Sequence, residues 1–167
     1  LRRFEEGYVL ARNPLFPHKV SRYELDPAVV DCVEFCSKNY APILPRLHEI
    51  TDRFNTHFHY TITAYGPDIE PGVPDIDTSC DTLLALEEQV GAKRICWRYD
   101  PVLLTQRYTV DVHLATFDYL CIASLKAREP LFAMVPRLFS SSSAVMPMPL
   151  SEMVRVWLSL SGTRNIS

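Results

Sequence analysis

His57 and His59 stand two residues apart in the run His57-Phe58-His59-Tyr60-Thr61. In a strand both fall on one face, with Cβ atoms about 7 Å apart. One metal ion bridges that span if Glu34 or Cys96 supplies a third ligand; the competing reading is a pair of packed or pH-sensitive histidines, and no metal is assigned. A second constellation is Trp97-Arg98-Tyr99-Asp100-Pro101. Arg98 carries the fork that grips carboxylate or phosphate, and Asp100 orients a cation or accepts a proton. Lys38-Asn39, Thr63 and Glu70 add a cation, an amide, a hydroxyl and a carboxylate. Lys38, Asn39, Thr63, Glu70, Arg98 and Asp100 together form the candidate site for a small anionic ligand. The competing reading pairs Arg98 and Asp100 with Glu34 or Lys38 in a structural polar layer. His18, His48 and His113 have no partners in sequence and read as surface or helix-face residues. Cys32 and Cys36 form a CxxxC pair, but a strand would hold them roughly 13 Å apart, too far to share one zinc ion. They read as buried structural thiols. No GxSxG elbow and no HExxH pair is present.

Strand-and-helix units must position these residues. Apolar and β-branched runs mark strands over Val29–Ser37, His57–Tyr65 and Arg94–Tyr99, with shorter extended segments at Tyr8–Arg12 and Val20–Leu25. Helical periodicity follows each long strand. One helix opens near Pro42 and carries Ile43, Leu44, Leu47 and Ile50 on one face. The next is capped by Thr78 and closed by Gly91; the third runs from about Thr109 to Lys126. Such alternation specifies parallel βα units with right-handed crossovers. Each strand has a greasy face and a mixed polar face: Phe58, Tyr60 and Ile62 oppose His57, His59, Thr61 and Thr63, and Ile95, Trp97 and Tyr99 oppose Cys96, Arg98 and Asp100. A closed eight-stranded barrel fills its interior with branched apolar side chains, so a polar face fits a wider or incomplete barrel with a wet lumen. No glycine-rich phosphate loop follows any strand. The expected fold is therefore α/β, a partial (β/α) barrel that is incomplete in this chain. Its site lies at the carboxyl ends of the strands.

Charge and composition narrow the functions. A formal net charge of −3 over 167 residues excludes a grip built on phosphate neutralisation, so no nucleic acid is expected. No run of eighteen apolar residues exists, and no membrane is expected. Five cysteines are an odd number, which favours a reducing, cytoplasmic setting over a disulfide framework. The average hides a break. All ten Asp, all five His and all eight Tyr lie in residues 1–120, whereas all four Met and the run Ser140-Ser141-Ser142-Ser143 lie in 121–167. Residues 1–120 read as the barrel core and 121–167 as a divergent, degenerate or frame-shifted tail. The competing reading makes Met153, Val154, Trp157, Leu158 and Leu160 an amphipathic appendage.

Four motifs in order carry a family likeness: Glu6-Gly7-Tyr8-Val9-Leu10-Ala11-Arg12-Asn13-Pro14, Ser37-Lys38-Asn39-Tyr40-Ala41-Pro42-Ile43-Leu44, Thr61-Ile62-Thr63-Ala64-Tyr65-Gly66-Pro67-Asp68-Ile69-Glu70-Pro71, and Trp97-Arg98-Tyr99-Asp100-Pro101. Over about residues 1–120 the chain resembles the bacterial family named domain of unknown function 1848. Its "TKN" pattern stands here as Ser37-Lys38-Asn39. That family is distantly similar to radical S-adenosylmethionine enzymes of the spore-photoproduct-lyase type, which implies a partial (β/α) barrel. For complete members the resemblance also implies an iron–sulfur cluster and S-adenosylmethionine. No CxxxCxxC spacing occurs in this chain, so no cofactor is assigned to it. The resulting expectation is a fragment of a radical-SAM-like barrel of undetermined reaction, inactive alone. The alternative is a non-catalytic domain that binds an anionic small molecule or a protein partner.

Overall fold

A computed structural model describes residues 1–124, 126–127, 132–134 and 138–140. The amphipathic appendage read into Met153–Leu160 lies outside the described residues. The chain opens with α1 (Arg2–Glu6), which Gly7 ends in the left-handed region at φ 78°, a conformation that glycine adopts without a Cβ clash. Strands β1 (Tyr8–Arg12) and β2 (Val20–Glu24) follow as an antiparallel pair, Tyr8 opposite Glu24 and Arg12 opposite Val20. The Asn13 side-chain oxygen accepts hydrogen bonds from the amides of Leu15 and Phe16, which turns the chain between them. The two extended segments read from sequence are thus a hairpin.

The main sheet is built from β3 (Val33–Ser37), β4 (Thr56–Thr61), β5 (Ile95–Arg98) and β7 (Phe132–Met134), hydrogen-bonded in that order and parallel throughout. The helix α2 (His48–Thr51), preceded by a 3-10 turn at Leu44–Arg46, joins β3 to β4. Helix α3 (Ile76–Val90) joins β4 to β5. Strand β6 (Val102–Leu104) and α4 (Val110–Ser124) lie between β5 and β7, and β6 pairs in parallel with β8 (Leu138–Ser140). The expected class, α/β with parallel βα units, describes this arrangement. Among the described residues, no helix is long and apolar enough to cross a membrane.

Several boundaries differ from those read in sequence, each for a local reason. β3 begins at Val33 because the amides of Val29 and Val30 donate to the Asp26 carbonyl and close a turn. Helix α3 is capped by Asp75, not Thr78: the Asp75 carboxylate accepts from the Thr78 amide at 2.8 Å and also from its hydroxyl. Gly91 ends that helix as expected, at φ 81°. α1 and β6, unread in sequence, are too short to show periodicity.

Alternation along the strands divides the sheet into its two faces. Phe58, Tyr60, Ile95 and Trp97 point to the face covered by α3 and α4, where they meet Leu83, Leu86, Phe117 and Leu120 in one core. Trp97 stacks on Phe117 with ring centroids 5.3 Å apart, and Phe35 stacks on Phe58 at 5.1 Å. Two expectations about burial are corrected. Cys32 and Cys36 are exposed rather than buried; Cys32 precedes β3, and Cys36 faces away from the helices. His113, read as a surface or helix-face residue, stands on a helix face but is buried, because it lies on the side of α4 that packs over Tyr99.

Candidate functional site

On the face away from α3 and α4, strand register arranges polar residues as a lattice. Glu34 is level with His57, and Cys36 is level with His59 and then Cys96. Thr61 is level with Arg98. Lys38 directly follows the Ser37–Tyr60 pair, so alternation puts it in the same row and on the same face as Thr61. Lys38 and Arg98 thus flank Thr61 across three strands, their Cα atoms about 10 Å apart.

Five of the six residues singled out in sequence make side-chain contacts with one another at this carboxyl edge. The Lys38 ammonium donates to Glu70 Oε1 at 2.6 Å, and the Thr63 hydroxyl donates to Glu70 Oε2 at 3.1 Å. Arg98 Nη2 donates to Asp100 Oδ2. The structural pairing foreseen for Arg98 and Asp100 thus exists, but between those two residues rather than with Glu34 or Lys38. Glu70 is no solvated loop acid, its side chain being only 13% exposed. The Asn39 side-chain oxygen accepts from the Ala41 amide at 3.0 Å, so this residue shapes the turn after β3. Arg98 Nε is buried and finds no hydrogen-bond partner among the described residues.

Two tyrosines, neither of them among the candidates, hold the loops that carry Glu70 and Asp100. The Tyr108 hydroxyl accepts from the Gly66 amide at 2.9 Å and donates to Asp68 Oδ1 at 2.6 Å. That hydrogen bond holds the Asp68 carboxyl below its ordinary range. Gly66 has little room there, since a Cβ would lie 3.1 Å from Asp68 Oδ1. The Gly66 carbonyl in turn accepts from the Glu70 amide at 2.9 Å, which fixes the start of the Glu70 side chain. The Tyr65 hydroxyl donates to the Pro101 carbonyl at 2.9 Å and accepts from the Leu103 amide. Burial pushes its phenol above the ordinary value, so it remains a proton donor. Nothing in the local sequence marks Tyr108, because its partners lie about forty positions away.

At the other end of the lattice His59 Nε2 donates to Glu34 Oε1 in a short hydrogen bond, and His57 Nδ1 lies 3.9 Å from the same oxygen. The two imidazole rings meet edge to face at 5.0 Å. Of the two third ligands weighed from sequence, Glu34 is the one brought to the histidines. The Cys96 thiol leans on the Trp97 carbonyl, and burial raises its ordinary value.

A family model described as Domain of unknown function (DUF1848) matches residues 1–143. The chain belongs to this family. The match passes the bound near residue 120 read from sequence and takes in β7 and β8, so the change of composition falls inside the family's span. No curated protein and no solved structure matches the chain. Family membership therefore leaves the reaction to be argued from the site.

Proposed function

We propose that this family domain is a section of a (β/α) barrel whose polar sheet face lines the lumen. There it binds a small anionic molecule across the carboxyl ends of β3, β4 and β5. Strand order supports the barrel: β3, β4, β5 and β7 follow chain order without the reversal that marks a doubly wound sheet. The observation that carries the ligand is the Lys38–Thr61–Arg98 row. Each cation there already leans on one carboxylate, Glu70 or Asp100, which fixes its direction without using all its donors. A guanidinium has five N–H groups and an ammonium three. The Arg98 N–H groups not turned to Asp100 and the remaining ammonium hydrogens of Lys38 are the donors left for an anion. Because the two ion pairs sum to zero charge, recognition depends on directed hydrogen bonds rather than on a strong positive field.

The resemblance to radical S-adenosylmethionine enzymes asks more of the chain than its residues supply. Cys80 and Cys121 lie on α3 and α4, Cys96 lies on β5, and no three cysteines converge among the described residues. They do not fit an iron–sulfur cluster, and no step through one is assigned. Five cysteines without a disulfide support a reducing, cytoplasmic setting.

Calorimetric titration with inorganic phosphate, pyrophosphate and a small dicarboxylate tests the ligand reading. The unaltered chain binds at least one of these; Arg98→Ala abolishes binding, and Arg98→Lys weakens it because the fork is lost. No binding by the unaltered chain, or equal binding by Arg98→Ala, refutes it. Loss of stability in Arg98→Ala with affinity intact assigns the residue to the structural layer instead.

A further inference from the structure

We propose that Glu34, His57 and His59 form a binding site for one first-row divalent transition-metal ion. One ligand atom from each of the three residues lies within 4.8 Å of the other two, and Glu34 Oε1 faces both His57 Nδ1 and His59 Nε2. Tetrahedral ligands at zinc distances are about 3.4 Å apart. The 3.9 Å between His57 and Glu34 therefore closes with a small swing of the carboxylate. Glu34 is free to make that swing, since it stands on the outer strand β3 with its side chain 60% exposed.

Hydrogen bonding alone accounts for only half of this arrangement. His59 donates to Glu34, but His57 points a nitrogen at the same oxygen from beyond hydrogen-bond reach. His57 makes no hydrogen bond through either ring nitrogen to another described residue. Two imidazole nitrogens converging on one carboxylate oxygen is the arrangement that a cation between them requires. Two imidazoles and one carboxylate suit zinc or ferrous iron, and suit calcium or magnesium poorly.

Three protein ligands leave coordination positions open to water or substrate, as in catalytic rather than structural sites. A metal in such a site acts as a Lewis acid or lowers the pKa of bound water. Affinity is tempered by what stands behind the ligands. His59 Nδ1 is buried without a partner among the described residues, and a missing outer partner weakens metal binding roughly 10–100-fold.

The site stands apart from the anion reading, since neither Arg98 nor Lys38 contributes a ligand. Titration of the metal-free chain with Zn²⁺, and with Co²⁺ followed by its visible absorption, tests it. One equivalent binds, and Glu34→Gln and His57→Gln each weaken binding at least tenfold. Thermal unfolding of the metal-free variants, both altered at partly exposed side chains, checks that they remain folded. The Cys32→Ser/Cys36→Ser double variant is the control for exposed thiols and binds as the unaltered chain does. Absence of stoichiometric binding overturns the proposal, as does binding lost only with the cysteines or unchanged in Glu34→Gln and His57→Gln. Phosphate titration of the same variants reads Arg98 and Lys38, so either reading can fail without the other.

Discussion

Tyr108→Phe isolates the pin that holds the Glu70 loop. The substitution keeps the ring, which meets Tyr65 edge to face at 5.0 Å, and removes only the hydroxyl. The Gly66 amide then loses its 2.9 Å acceptor beside a tyrosine that is 4% exposed. A donor left unpaired in such a place costs about 1–3 kcal/mol. Asp68 also loses its 2.6 Å donor, but that carboxylate reaches solvent and turns to water. For a chain of this length the cost corresponds to a melting temperature lower by about 2–12 °C. Circular dichroism melts and urea titration measure it, and limited proteolysis within 66–77 reports whether the loop has loosened. Asp68→Asn has a smaller effect, because the Gly66 bond survives. A Tyr108→Phe protein with unchanged melting and unchanged loop cleavage refutes the assignment of the hydroxyl as the pin.

Two further outcomes follow from burial. His113 donates through Nε2 to the Leu103 carbonyl at 3.2 Å and accepts at Nδ1 from the Tyr99 hydroxyl at 2.9 Å; burial lowers its pKa below the ordinary 6.5. Unfolded chains then take up the proton first, so stability is full above pH 6.5 and falls as pH drops toward the folded value, by at most about 1.4 kcal/mol per pH unit. His113→Asn flattens that slope in melts between pH 7 and 5.5; an unchanged slope places the acid sensitivity elsewhere. Cys80 and Cys121 are pushed up to about 11 by burial, and Cys96 is raised for the same reason. A thiol reagent therefore modifies Cys32 and Cys36 promptly in the native protein, the partly exposed Cys121 more slowly, and Cys80 and Cys96 only on unfolding; fast reaction at Cys80 or Cys96 contradicts the core packing.

Period-two alternation makes the sheet's two faces legible in the sequence, because a strand buried on one side must sort its residues that way. His57, His59, Thr61, Cys96 and Arg98 all stand on the face assigned to them. Which charges pair was less legible. Lys38 and Glu70 are 32 positions apart, and only the fold of the 66–70 turn brings them together. Capping was misplaced for a related reason: Thr78-Ser79-Cys80-Asp81 resembles a capping box, yet Asp75 already satisfies the Thr78 amide one turn earlier. The burial of His113 depended on which side of α4 meets Tyr99, and the mixed polarity of that helix does not reveal it. Tyr108 and Gly66 show the limit most clearly, since a hydroxyl acting on a distant amide leaves no periodic trace.

Strand order also bears on how the sheet is made. Each strand hydrogen-bonds to the one that precedes it in the sheet, one crossover earlier in the chain: Val33 with Thr56, Phe58 with Ile95, Cys96 with Phe132. Within the described four-stranded sheet each strand pairs with the next one along the chain, so contact order stays low for a parallel sheet. During synthesis from the amino terminus, β3 and β4 can pair before β5 is complete, and β5 can dock before β7 emerges. The lattice of polar residues would then assemble from one side, with Glu34, His57 and His59 facing one another before Arg98 joins them.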